Sequence, residues 1–110
     1  DVENTPERAE LEQHKGLYLL EFGSSWCGHC QAAQLAIASA LTEYPELPHQ
    51  KIEDGPGRRL GRNFRVKLWP TLILLKDGEE IGRLVRPTSE AEVSELLSLG
   101  KSEKTAIRFL

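Results

Sequence analysis

The junction running from Leu17 to Cys30 constrains the fold more than any other part of the chain. In it the apolar run Leu17-Tyr18-Leu19-Leu20-Glu21-Phe22 leads through Gly23-Ser24-Ser25 into Trp26-Cys27-Gly28-His29-Cys30, which holds the only two cysteines. The apolar run reads as a buried strand. The following Gln31–Leu41 segment is rich in alanine and leucine, lacks proline and glycine, and reads as a helix continuing to about Glu43, before Pro45. Cysteines at i and i+3 in a first helical turn share one face, within reach of a disulfide. The first of them sits where unpaired backbone N–H groups and the positive end of the helix dipole stabilise an anion. In that setting a thiolate forms near neutral pH and attacks disulfides, so the pair points to thiol–disulfide exchange.

Other uses of two cysteines fit less well. A zinc site needs about four ligands, and only His14, His29 and His49 could add nitrogen. Haem attachment needs His directly after the second cysteine, where Gln31 stands. A structural disulfide gains most from closing a long loop, and this ring is short. No metal and no cofactor beyond the Cys27–Cys30 couple is therefore expected. Trp26, flanked by Ser25 and Cys27, is expected to cover the couple, Gly28 to shape the turn, and His29 as imidazolium to favour the thiolate. A stabilised thiolate makes the disulfide more oxidising.

The rest of the chain supplies strands and helices around this junction. Thr5-Pro6 predicts a helix start, with Thr5 as N-cap, running to about Lys15 and ending at Gly16. A short strand is expected near Gln50 to Glu53, broken by Asp54-Gly55-Pro56-Gly57. Arg58 to Phe64 can form a short helix with Leu60 and Phe64 inward. Thr71 to Leu75 and Glu80 to Val85 predict a hairpin across Lys76-Asp77-Gly78. Ser89 and Glu92 predict a capping box for a last helix to Leu99. Glu21 shares a strand face with Leu17 and Leu19; if that face is buried, its pKa should rise. At 110 residues the chain is read as a single domain over 1–110. A net charge of only −3 gives no reason to expect nucleic acid or an anionic membrane as partner. The longest apolar run is far short of a membrane span. Asp1 and the absence of methionine suggest a processed product.

The pentad with its flanking strand and helix, Lys51-Ile52-Glu53, Trp69-Pro70-Thr71-Leu72, the turn Lys76-Asp77-Gly78-Glu79 and the closing helix together resemble the thioredoxin superfamily. The Cys-Gly-His-Cys centre is similar to that of protein disulfide isomerase domains, whereas bacterial thioredoxins usually carry proline where His29 stands. The resemblance implies an α/β thioredoxin fold, a central mixed β-sheet flanked by helices on both faces. Its first, outer strand would be abbreviated, because only Asp1 to Asn4 precede the first helix. It also implies Cys27 as nucleophile, Cys30 as resolving thiol, and Glu21 as proton acceptor beneath Cys30 with Lys51 beside it. Pro70 would follow a cis bond, and Trp69, Pro70 and Thr71 would bind substrate backbone. Leu35 replaces a helix-kinking proline, Arg86 a glycine bordering the groove, and Gly23 a bulky aromatic. Arg58, Arg59, Arg62, Arg65 and Lys67 form a cationic run expected to be a solvated face.

The function expected is a thiol–disulfide oxidoreductase acting as a monomer on protein or peptide substrates, served by a reductase or oxidising partner. A cytoplasmic location is expected, with a periplasmic or other oxidising compartment as the alternative. The alternative functions are a disulfide isomerase or oxidase, and a redox-silent module that binds peptides on the Trp69-Pro70 edge.

Overall fold

In a computed structural model the backbone is described for residues 5–108 and side chains for residues 5–101. Eight elements follow in order: α1 (Arg8–Gln13), β1 (Leu17–Gly23), α2 (Gly28–Leu41), β2 (His49–Glu53), α3 (Arg59–Asn63), β3 (Thr71–Lys76), β4 (Glu79–Val85) and α4 (Glu90–Arg108). The four described strands form one mixed sheet in the order β2-β1-β3-β4, with β1 parallel to β2 and the other pairs antiparallel. Residues 1–4, where an abbreviated outer strand was expected, lie outside the described residues.

The two central strands are apolar on both faces because helices cover both. Leu19, Leu72 and Leu74 pack with Ala33, Ile37 and Ala40 of α2 and Val93, Leu96 and Leu97 of α4. Leu20, Phe22, Ile73 and Leu75 point the other way, against Leu11 of α1 and Leu60 and Phe64 in and beside α3. Glu21 belongs to the first face, and so lies under α2. Helix α2 turns Cys30, Ala33, Ile37 and Ala40 inward at helical spacing, while Leu35 is 77% exposed. The helix runs without interruption through Leu35, and no packing there calls for a proline.

Some boundaries differ from the sequence reading. Glu7, not Thr5, precedes the first turn of α1: its backbone N–H donates to the Glu10 carboxylate (3.0 Å). Before α4, the Glu92 backbone N–H donates to Ser89 Oγ (3.2 Å) as expected. Its carboxylate instead accepts from the backbone N–H (2.7 Å) and hydroxyl (2.9 Å) of Thr88, one residue earlier than a capping box requires. Helix α4 also continues well beyond Leu99.

Two turns carry left-handed residues for local reasons. Asp77 (φ +51°) and Gly78 (φ +84°) form the two-residue turn between β3 and β4, where φ is positive at both central positions. Asp77 Oδ1 accepts from the Gly16 N–H (2.7 Å), and the Asp77 N–H donates to the Gly16 carbonyl (3.0 Å), which pins this turn to the start of β1. Arg65 (φ +58°) follows α3 and closes a Schellman turn, with Val66 N–H on Gly61 O (2.9 Å) and Arg65 N–H on Arg62 O (3.1 Å). Glycine is the relaxed choice at Arg65, so Arg65→Gly should stabilise the fold by about 0.5–1 kcal/mol. Gly78→Ala should destabilise it by about 2 kcal/mol or more, because the new Cβ would meet the Glu12 backbone in a left-handed conformation. Urea unfolding of the two variants checks both signs.

Candidate active site

The end of β1 and the start of α2 place a sulfur where a helix usually places a side-chain oxygen. Cys27 is the N-cap of α2, and its Sγ accepts the Cys30 backbone N–H at 3.2 Å. The Cys27 N–H is fixed in turn by the Ser24 carbonyl (3.1 Å). Both cysteines are free thiols and both are buried. Burial works against a Cys27 thiolate. Hydrogen bonds from the Cys30 thiol and from the N–H groups of Cys30 and His29, together with the Arg86 charge, outweigh it and hold the Cys27 pKa below the ordinary thiol value. Cys30 goes the other way: burial first, then the bond to Cys27 and the charges of Cys27 and Glu21, push its pKa up to about 11. One environment thus gives the two sulfurs opposite characters.

Across from Cys27 lies the Trp69-Pro70 peptide bond, which is cis. The Trp69 carbonyl is 4.0 Å from Cys27 Sγ. Thr71 is buried, and its hydroxyl donates to the Leu68 carbonyl (2.6 Å), closing the bend from below. The Trp69 indole N–H donates to Asp54 Oδ2 (2.9 Å), while the Asp54 N–H donates to the Gly23 carbonyl at the end of β1 (2.8 Å). Gly61 leaves room for that carboxylate, which a Cβ would strike. Trp26, 74% exposed, meets Trp69 edge-on with ring centres 5.4 Å apart, so the two indoles wall one side of the sulfurs. Arg86 Nε donates to the same Trp69 carbonyl (2.9 Å).

Beneath Cys30, Glu21 is 4% exposed and faces a cavity of about 310 Å³ that Cys30, Gly23, Gln34 and Lys51 also line. One sequence expectation is refined here and another corrected. Lys51 is the β2 register partner of Glu21 but is exposed, and its charge is the weakest of the influences on Glu21. The carboxylate is instead bound by His49 Nε2 (2.8 Å) and by Gln34 Nε2 (2.7 Å), and Gln34 also donates to the Cys30 carbonyl (3.0 Å). The Glu21 pKa was expected to rise. Burial does push it upward, but the hydrogen bonds from His49 and Gln34, with the His49 charge, hold it below the usual carboxylate value. His49 and Lys51 lie two residues apart on one face of a strand, so the pattern could not say which reaches Glu21. Gln34, four residues after Cys30, carried a helical-spacing signal; Asp54 carried none. His29 acts on Cys27 through its backbone N–H, a lesser influence than that of Cys30 in lowering the Cys27 pKa. Among the described residues, no group of three or more His, Cys, Asp or Glu side chains is placed to hold a metal ion.

A thiolate held beside a protonated thiol that can close a ring with it is a two-electron donor to disulfides, and this chemistry defines a thiol–disulfide oxidoreductase. Comparison with known proteins agrees. The Thioredoxin family profile matches residues 2–98. A thioredoxin of Chlamydia trachomatis serovar D is 31% identical over 83 residues, covering 76% of this chain and 81% of the relative. A thioredoxin of Chlamydia pneumoniae is 34% identical over 70 residues, covering 64% and 69%. The solved structure of reduced thioredoxin 2 from Pseudomonas aeruginosa PAO1 superposes with a TM-score of 0.79 at 52% identity, covering 89% of this chain and 92% of that one. The chain belongs to the thioredoxin family, whose members exchange thiols and disulfides with protein substrates. No helix among the described residues is long and apolar enough to cross a membrane.

The environments predict an ordered alkylation. With iodoacetamide, Cys27 should react first, its rate reaching half-maximum below the ordinary thiol value of about 8.5. Cys30 should stay protected until the pH nears about 11. Mass mapping against pH checks both. Glu21 also makes stability depend on pH. Because its folded pKa is depressed, its contribution is full above the unfolded value and is lost as pH falls through the folded one. His49→Ala should move that acid loss to higher pH in a thermal-melt series.

Proposed function

We propose that Cys27 is the nucleophile of a two-step reduction of protein disulfides, with Cys30 as the resolving thiol. The Cys27 thiolate attacks one sulfur of the substrate disulfide, forming a mixed disulfide while the other substrate sulfur leaves as a thiolate and takes a proton. Cys30 then loses its proton and attacks Cys27 Sγ. The second substrate thiol departs, and two electrons have moved from the dithiol to the substrate. A reductase would return the Cys27–Cys30 disulfide to the dithiol. The observation that carries this reading is the geometry at the start of α2: the N-cap Cys27 Sγ accepts the Cys30 N–H at 3.2 Å, and the Cys30 thiol is buried one turn on.

The resolving step needs a proton acceptor, and Glu21 is the buried carboxylate among the residues that line the cavity under Cys30. A carboxylate with a depressed pKa is a weak base for a thiol near 11. Forming the mixed disulfide removes the Cys27 negative charge, one of the causes that hold the Cys30 proton, and so narrows the gap. His49, in the place expected of Lys51, supports the acceptor. Substrate backbone would lie along the Trp69-Pro70 edge in the manner of strand addition, with Trp26, Gly28 and His29 shaping the approach and Thr71 fixing the bend. The domain would act as a monomer, and a cytoplasmic location suits a chain whose dithiol must be kept reduced.

A second reading, oxidase or isomerase, is favoured by the His29 backbone N–H, one of the influences that lower the Cys27 pKa; proline there would have none. The reduction potential decides between them. A value near or below about −270 mV is what the reductase reading expects, and one well above it, towards the roughly −180 mV of protein disulfide isomerase, is what the second reading expects. His29→Pro should lower the potential, and His29→Ala, which keeps the N–H, should leave it nearly unchanged. An equal fall in both variants would return the effect to the imidazole.

Insulin reduction by the purified chain, abolished by Cys27→Ser, tests exchange against the redox-silent alternative. Activity surviving in that variant would remove Cys27 from the role. Glu21→Gln and His49→Ala should each slow resolution of a trapped mixed disulfide about tenfold, less than the roughly 10²–10⁴-fold of a full acid–base contribution, and leave the first attack little changed.

A further inference from the structure

Strand β4 hands the chain over to the active site at Arg86, which has φ of +51°. A side chain with a Cβ is disfavoured there, and glycine adopts such a backbone freely. Asp77 and Arg65 share this conformation where a hairpin turn and a helix end demand it. At Arg86 the chain also needs the turn, since the backbone N–H donates to the Pro70 carbonyl (2.8 Å). Glycine would make that turn without strain. An arginine in its place points to work done by the side chain.

That side chain is held by one edge. Its Nε donates to the Trp69 carbonyl at 2.9 Å, the same oxygen that lies 4.0 Å from Cys27 Sγ. The remaining N–H donors, on Nη1 and Nη2, bond to no described residue, and the residue is exposed. Asp54, the carboxylate bound to the same Trp69, is engaged by the indole N–H. A guanidinium anchored through Nε presents its two terminal nitrogens as a fork that matches a carboxylate, with less freedom left to lose on binding.

We propose that Arg86 determines substrate preference by receiving, on its free Nη pair, an Asp or Glu side chain carried next to the target cysteine of the incoming polypeptide. The proposal rests on the exchange reading above and adds to it the class of substrate. The carboxylate would dock beside Cys27 while the substrate backbone lies on the Trp69-Pro70 edge. The Trp69 carbonyl has a second lone pair for a substrate N–H, so the anchor and the substrate do not exclude one another. Because the fork is exposed, the preference should be moderate and salt-sensitive. Lys67, exposed and close to Trp69, is the rival source of any preference for acid.

The test uses two disulfide peptides identical except for Glu or Lys beside the cysteine, with kcat/KM measured at low and high salt. The parent chain should favour the acidic peptide by about three- to fivefold at low salt, the scale of an exposed ion pair, and approach parity at high salt. Arg86→Gly, which relaxes the backbone, should bring the ratio to parity at both salts. Arg86→Lys, keeping charge but not the fork, should retain only part of it. A general loss of Cys27 reactivity cancels in the ratio. A preference surviving in Arg86→Gly would assign it to Lys67 or to diffuse charge and overturn the proposal, as would parity in the parent. Failure of the parent to reduce either peptide would instead overturn the exchange reading.

Discussion

The hydrogen bond from the Cys30 N–H to Cys27 Sγ depends on a helix beginning one residue after the nucleophile. A helix start has N–H groups with no carbonyl to meet, and usually an oxygen from Ser, Thr or Asp fills the need. Here a sulfur does, and a sulfur meets it better as an anion than as a thiol. The same bond therefore caps α2 and prepares the nucleophile. Separating the two roles would require moving the helix start, which is set by the Ser24 carbonyl on the Cys27 N–H and by Cys30, Ala33 and Ile37 packed behind it.

Below this cap the face of β1 under α2 changes from apolar to ionic in two residues, from Leu19 to Glu21. A buried carboxylate in that layer is costly alone, and His49 and Gln34 offset the cost with one hydrogen bond to each oxygen. Gln34 spans both groups, bonding Glu21 and the Cys30 carbonyl, so the helix that carries the thiols is tied to the strand that carries the acid. The charge on Glu21 is one reason the Cys30 proton is held tightly. The layer thus stores the proton on the second sulfur while the first is left ready.

Much of this was legible from periodicity. Alternation along β1 placed Leu19 and Leu20 on opposite faces, and helical spacing placed the i, i+3 cysteines on one turn, because strand and helix repeats need only local sequence. The helix starts were less legible. Thr5 and Ser89 have the right chemistry, but Glu7 precedes α1 and Thr88 captures the Glu92 carboxylate, since several polar residues stood within reach. The partner of Glu21 was illegible in principle: the parallel register pairs it with Lys51, yet side-chain reach selects His49 two residues earlier. Asp54 joins Trp69 across fifteen residues, a contact that no local pattern encodes.

The Trp69 position shows why residues so far apart in sequence act together. Its carbonyl, indole N–H and ring edge each meet a different partner: Arg86 from the end of β4, Asp54 from the loop after β2, and Trp26 from the loop before α2. Three segments with no regular structure are thereby referred to one bend, itself held from inside by the Thr71 hydroxyl. Loops joined only to their own strands would let the wall drift relative to Cys27. Tied to a single residue whose carbonyl lies 4.0 Å from the sulfur, they keep their distance to it. A tryptophan fits this place because it spans these partners, and the groove it borders is walled by indole on one side and by guanidinium on the other.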